Sequence, residues 1–409
     1  MSKKKEVVEI VDEMHNEVIE FLQKMVQTPS INPPGEYEAI SRVVADRFKQ
    51  LALEAETILV PEEKVKELGL ATPRINVLGW LRGTPGHPVL VLNPHLDTVP
   101  IGENWTVDPF KGEIRGGKLY GRGASDCKGR IAAYAYALAA IKRAGISLKG
   151  TAVVAATVDE ETGGLLGPKY LLDHRFLQPD FAIVEGSAYT IWNAMNGCLH
   201  LEVKVLGKSI HAAAPERGVD AIEKMNKVLV ALYRYRDSLR LKKSTVPGLN
   251  TPTLVVGTIS GGTKTNILAD KCVITIDRRI LPEEKGHEVE SELFSLLRGL
   301  EKEDPQLKLQ LRTIMLADSF GPLPESHHLI QTLVKNGTQV LGEKPKVEGV
   351  AGFGDSRFYW AKGIPVCNFG PSPKVIWESN AHGADENIVL DDLFKSIKVL
   401  ALTLIDLLG

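Results

Sequence analysis

Cysteine is scarce in this chain of 409 residues: Cys127, Cys198, Cys272 and Cys367 lie far apart and form no C-x-x-C pair. That spacing argues against a disulfide framework or a thiolate zinc site, and it suits a reducing, cytoplasmic setting. A dominant charge is also missing. With 49 Lys and Arg against 51 Asp and Glu, the formal net charge is −2, without the basic stripe of a nucleic-acid binder. No apolar run approaches the roughly 18 to 20 residues that a bilayer span needs. The opening MSKKKEVVEIVDEMHNEV is too charged for the apolar core of a signal peptide. Neither nucleic acid nor a membrane is therefore an expected partner. Several catalytic signatures are absent too: there is no G-x-S-x-G elbow and no H-E-x-x-H. Leu119 stands where a phosphate loop beginning at Gly112 would need Ser or Thr, and Asp126 stands where a dinucleotide fingerprint would need its third glycine.

What is present is an ordinary globular composition, 44% hydrophobic and 24% charged, with material for a sizeable core. Val7 to Gln27 carries apolar residues at helical spacing and predicts one amphipathic helix; Glu38 to Leu53 predicts a second. Short apolar runs at Val89–Asn93, Thr151–Val158 and Asp180–Val184 read as buried strands, and Arg130–Ala144 reads as a long helix ended by Gly145. Strands alternating with helices predict an α/β domain around a mostly parallel central sheet. Beyond about residue 195 the pattern changes. His200–Val205 alternates strictly, followed by helix Ala221–Leu239, strands Thr253–Ser260 and Cys272–Asp277, helix Glu283–Gly299 and strand Lys308–Ile314. This order predicts an α+β module of ferredoxin-like type. The vocabulary of the first half then returns, with Val366–Phe369 and Leu390–Leu408. The expected organisation is a discontinuous domain, 1–194 plus 316–409, with a smaller domain, 195–315, inserted in it.

Ligands of parallel sheets bind beyond the carboxyl ends of the strands, so the residues following each strand matter most. Pro94-His95-Leu96-Asp97 follows the first, Asp159-Glu160-Glu161 the second and Glu185 the third. Asp126 opens the long helix behind a glycine-rich turn, and His382 sits in a polar loop ahead of the last helix. Taken singly, each has a plain structural explanation as cap, turn or hydrogen-bonded core group. Gathered at one sheet edge, they would repel one another unless a cation joined them. Imidazole with carboxylate suits Zn²⁺, with Co²⁺ and Mn²⁺ as alternatives. Of the neighbours Glu160 and Glu161, one can bind metal while the other stays free as a general base that activates water. Asp97 can orient His95 through its far ring nitrogen.

These residues resemble the M20 metallopeptidase and amidohydrolase family, whose members include acetylornithine deacetylases, succinyl-diaminopimelate desuccinylases and glutamate carboxypeptidases. The matching stretches are HLDTVP (95–100), LYGRGASDCKG (119–129), DEETGG (159–164), VLGKSIHAAAPERG (205–218), GGTKTNIL (261–268), IDRRILPEE (276–284), GDSR (354–357) and NAHGADE (380–386). They span almost the whole chain in family order. The resemblance implies two divalent metal ions sharing Asp126, one held with His95 and Glu185, the other with Glu161 and His382. Glu160 would be the general base and Asp97 the residue orienting His95. The inserted domain would serve as lid and dimerisation module, with His211 stabilising the oxyanion. Asn266 and Arg279 would bind substrate, the arginine through a carboxylate. VEGSA around Glu185 departs from the Gly-Glu-Pro turn common among relatives. The implied activity is hydrolysis of an amide bond in a small molecule, foremost N-deacylation of an N-acyl amino acid by a homodimer. Cleavage of dipeptides, C-terminal residues or unusual arylamides is the alternative within the family, and a non-catalytic binding protein on the same scaffold is the alternative outside it.

Overall fold

A computed structural model describes residues 3–409. The chain divides into two compact units, one comprising 1–193, 323–347 and 354–409, the other 194–322 and 348–353.

An eight-stranded sheet organises the first unit. Its order is Glu54–Leu59, Ile75–Leu81, Thr151–Ala156, Val89–Asn93, Phe181–Val184, Val366–Asn368, Thr190–Met195, Lys346–Val350. The four strands from Thr151–Ala156 to Val366–Asn368 are parallel, as expected for apolar runs buried on both faces. Glu54–Leu59, Ile75–Leu81 and Thr190–Met195 pair antiparallel outside them, so the sheet is mixed and its parallel part is the centre. Helices Gly129–Arg143 and Leu390–Leu408 pack together against it. The former is buried continuously from Ile131 to Ile141. Each fully buried Leu or Ile on these elements contributes about 1.5–3 kcal/mol. The segment predicted as one helix from Val7 is two, Lys3–Glu13 and His15–Val26, broken at the buried Met14. A small second sheet joins Asn387–Val389, Lys118–Tyr120 and Glu113–Arg115, all antiparallel.

The second unit is a four-stranded antiparallel sheet in the order Thr253–Gly261, Lys271–Ile280, Gly197–Leu206, Lys308–Ala317. With helices Ala221–Leu239 and Gly286–Glu303 between strands, the chain order is β-α-β-β-α-β, the ferredoxin-like arrangement. Leu201, Val203, Val205, Ile274 and Ile276 meet Met225, Val228, Leu293 and Leu297 in one core. Asp220 caps the first helix by accepting from the amides of Ile222 (2.8 Å) and Glu223 (3.4 Å), an arrangement that contributes about 1 kcal/mol. Among the described residues, no helix is long and apolar enough to cross a membrane.

Candidate metal centre

The parallel pairing of Val89–Asn93 with Thr151–Ala156 continues past both strand ends. The Thr157 amide donates to the Pro94 carbonyl at 3.0 Å and the Leu96 amide to the Thr157 carbonyl at 2.7 Å. This lays the segment carrying His95 and Asp97 beside the turn carrying Glu160 and Glu161. Asp126 arrives from a third direction, in a short irregular helical segment that leads into Gly129–Arg143. Gly123 precedes it at φ +85°, where a Cβ would meet Thr98 Cγ2 at 2.7 Å, so no larger residue fits that turn. His382 is far away in sequence. The pairing of Asn387–Val389 with Lys118–Tyr120 brings its loop back to the Asp126 segment.

The two oxygens of Asp126 reach two different imidazoles. Oδ1 lies 3.0 Å from His95 Nε2, and Oδ2 lies 3.5 Å from His382 Nε2. His382 Nε2 is also 3.2 Å from Glu161 Oε2. Three sets of donor atoms lie within 4.8 Å of one another: His95, Asp126 and Cys127; His95, Glu160 and Glu161; and Asp126, Glu161 and His382. Glu185 belongs to none of these sets among the described residues. It follows the end of its strand as expected and is half-buried, with Oε2 itself buried and unpartnered. Asp97 stands behind His95, with Oδ1 3.5 Å from His95 Nδ1, and accepts from the amides of Glu160 (3.3 Å) and Glu161 (3.1 Å). One carboxylate thus touches both the imidazole and the acidic turn.

The electrostatics of this cluster are those of acids crowded out of water. Burial first, with Glu161, Asp355 and Glu185 close by, holds the Glu160 carboxyl well above its ordinary range despite the opposing effect of His95. Burial, reinforced by Asp355 and Asp126, pushes Glu185 up to about 8. Glu161 is raised for the same first reason, against the pull of His382. Burial opposes charge on Asp126, but hydrogen bonds from His382 and His95 outweigh it and hold its carboxyl well below the usual range. Glu161 Oε1, Glu185 Oε2 and both oxygens of Asp355 are buried without a hydrogen-bond partner. Unsatisfied buried carboxyl groups of this kind are costly. A donor set of imidazole and carboxylate oxygens, several with unused lone pairs, fits divalent cations of the Zn²⁺, Co²⁺ or Mn²⁺ type.

Residues to which the sequence gives no part in metal binding also shape the centre. Cys127 joins His95 and Asp126, and its adjacency to Asp126 was the available signal. Asp355, within the GDSR stretch, is fully buried, and its carboxyl is pushed up to about 7, first by burial and then by Asp97 and Asp159 against Arg357 and His95. Gly164 lets it approach, since a Cβ there would meet Asp355 Oδ1 at 2.2 Å. Asp159, at φ +65°, turns the chain into Glu160. Its carboxylate accepts from Arg74 Nε (3.0 and 2.9 Å), Tyr37 Oη (2.8 Å) and Asn32 Nδ2 (3.1 Å). No local pattern announces these partners.

His211, Asn266 and Arg279 lie in the second unit. The first two are neighbours: the Ala212 amide donates to the Asn266 carbonyl at 3.0 Å, and His211 pairs with Ile267 in an isolated bridge. Both side chains are exposed. Arg279 is ion-paired with Asp277, Nε to Oδ1 at 2.9 Å.

Residues 91–406 match the model of peptidase family M20/M25/M40. An acetylornithine deacetylase of Proteus mirabilis (strain HI4320) is 31% identical over 334 residues, 80% of this chain and 82% of that one. Human carnosine dipeptidase 1 has the same fold, with TM-score 0.76 at 17% identity over 100% of this chain and 99% of its own. An M20 family metallo-carboxypeptidase from Sulfolobus solfataricus is similar at TM-score 0.75 and 20% identity, over 95% of this chain and 98% of its own.

Proposed function

The chain belongs to peptidase family M20/M25/M40 and is a metal-dependent amide hydrolase; from that premise we propose that it removes the acyl group from an N-acyl amino acid. The observation that carries this reading is Asp126, one carboxylate with an oxygen toward each of two histidines. In this assignment His95, Asp126 and Glu185 hold one divalent cation, and Asp126, Glu161 and His382 hold the other. Zn²⁺ is the first candidate by donor chemistry, with Co²⁺ or Mn²⁺ as alternatives. When bound, such cations polarise a carbonyl and acidify water. The remaining steps belong to the chain. Glu160, whose neighbours and burial raise its proton affinity, takes a proton from the attacking water at its carboxylate and delivers it to the departing amine nitrogen. Asp97 keeps His95 in one tautomer and fixes the amides of Glu160 and Glu161. His211 donates to the oxyanion, and Asn266 and Arg279 hold the substrate, the arginine by its carboxylate.

The preference for a deacylase over a peptidase is supported by the similarity to acetylornithine deacetylase across four fifths of the chain. We also infer a cytoplasmic homodimer in which the second unit is lid and dimerisation module. All four cysteines are free and buried, and the outermost strand, Thr253–Gly261, exposes Val255 and Ile259. The test is a panel of N-acetyl and N-succinyl amino acids beside dipeptides, offered to protein reconstituted in turn with Zn²⁺, Co²⁺ and Mn²⁺. Turnover of N-acyl amino acids is expected; turnover of dipeptides alone would replace the deacylase reading with a peptidase one.

A further inference from the structure

Alternation along Lys271–Ile280 sends Ile274 and Ile276 into the helix-covered core of the second unit and turns Asp277 and Arg279 to the opposite face of the sheet. There Asp277 is engaged on both oxygens. Oδ1 accepts from Arg279 Nε at 2.9 Å, and Oδ2 lies 3.1 Å from Nε2 of His200, its register partner on Gly197–Leu206. The Arg279 guanidinium also lies over the Phe353 ring, 5.5 Å from its centroid. One edge and one face of the guanidinium are therefore occupied, while among the described residues its two terminal nitrogens make no hydrogen bond.

An exposed arginine loses rotamer freedom when it binds. Here that freedom is already restricted by the Nε hydrogen bond and the aromatic stack, and the remaining donors form a parallel pair matched to a carboxylate. We propose that Asp277, itself held by His200, is a positioning residue that aims the terminal nitrogens of Arg279 at a planar carboxylate, so that the enzyme selects substrates with a free carboxylate over the corresponding carboxamides. This rests on the reading above that Arg279 meets the substrate. The charges agree with it. The Asp277 hydrogen bond pushes His200 up to about 9, so at neutral pH the cluster is cation, anion, cation and presents one net positive charge to one carboxylate. A carboxamide offers a single acceptor oxygen and sets an N–H against the second guanidinium donor, leaving it unpaired.

The test measures binding of two probes, N-acetylglycine and N-acetylglycinamide, to the full-length protein by ligand-observed NMR. The variants are Asp277→Ala, His200→Gln and Arg279→Lys. The wild type is expected to favour the acid by about tenfold or more, and Arg279→Lys to abolish most of that preference. Asp277→Ala and His200→Gln are expected to reduce it to about threefold while amide binding stays within about twofold of wild type. An undiminished preference in Asp277→Ala overturns the positioning role. So does a wild type that binds both probes alike, or a variant that loses both in parallel. Turnover is scored separately: a protein that selects the acid yet hydrolyses no N-acyl amino acid would end the deacylase reading and leave this one standing.

Discussion

Arg122 Nη1 lies 2.7 Å from Glu386 Oε2 in an ion pair with both side chains about 1% exposed. The same carboxylate accepts from the amides of Gly123 (3.0 Å), Ser125 (3.0 Å) and Asp126 (2.8 Å), and Arg122 Nη2 also reaches the Gly383 carbonyl at 3.0 Å. Glu386 thus ties the loop of His382 to the segment of Asp126, residues that belong to separate stretches of the chain within the first unit. His382 and its neighbours Asn380 and Asp385 all have positive φ, at 64°, 52° and 54°. Three such non-glycine residues in one loop persist only where surrounding bonds hold them.

Breaking this pair by Glu386→Gln leaves Arg122 buried and unpaired, which costs about 3–5 kcal/mol when one partner of a buried pair is lost. The expected result is a large fall in the urea midpoint together with weaker zinc retention on dialysis. The double change Arg122→Met with Glu386→Met removes both charges and should restore part of the stability without restoring zinc retention. If the double variant is no more stable than Glu386→Gln, the unpaired charge is not the cause.

The turn that carries Glu160 makes a graded prediction. Asp159→Asn keeps a residue that tolerates left-handed backbone, whereas Asp159→Ala does not; both leave Arg74 buried without its anion. Tyr37→Phe removes one hydroxyl, which donates to Asp159 Oδ1 and accepts from its amide at 3.0 Å. The order of destabilisation in urea should be Tyr37→Phe, at about 1–3 kcal/mol, then Asp159→Asn, then Asp159→Ala, at about 3–5 kcal/mol. A Tyr37→Phe loss equal to that of Asp159→Ala would contradict the account of Arg74 as the principal partner.

How much of this was legible in the sequence follows from where the information lies. Ala221–Leu239 and Leu390–Leu408 were readable to the residue because their apolar spacing is local. The break at Met14 was hidden because Met14 is apolar and buried, like the helical stripe it interrupts. The strand Ile75–Leu81 escaped notice because Asn76 and Gly79 spoil its apolar run. Asn76 is there to donate to the Leu166 carbonyl and accept from the Val158 amide, and Gly79 because a Cβ would meet Phe48 at 2.5 Å. His95, Glu160, Glu161 and Glu185 were legible as candidates, since each follows a parallel strand and such strand ends share one edge of the sheet. Their supports, Arg74 to Asp159 and Glu386 to Arg122, are pairings made only by the folded chain.

The proposed division of labour between the adjacent glutamates, Glu160 as base and Glu161 as metal ligand, separates two measurements. Glu160→Gln keeps the side-chain volume but cannot accept the proton from water. Hydrolysis should fall by about 10²–10⁴-fold, while the zinc-induced rise in melting temperature stays within error of wild type. Glu161→Gln, which alters a residue 3.2 Å from His382, should diminish that rise. Loss of the zinc-induced shift in Glu160→Gln, with retention in Glu161→Gln, would exchange the two roles.

The His200–Asp277 pair sets a pH window for the second unit. The Asp277 hydrogen bond raises His200 from 6.5 to about 9 in the folded protein, so its contribution to stability is complete below about 6.5 and lost as pH rises through about 9. For Asp277, burial opposes charge, but the contacts with His200 and Arg279 prevail and lower its pKa below 3.8. That contribution is complete above about 3.8 and lost as the solution is acidified through the lowered value. The stabilities of wild type and His200→Gln should therefore differ most between pH 4.5 and 6 and converge by about pH 10. Urea midpoints of both proteins across that range provide the check. A difference that is flat or grows with pH would mean that His200 does not carry its proton against Asp277 in the folded state.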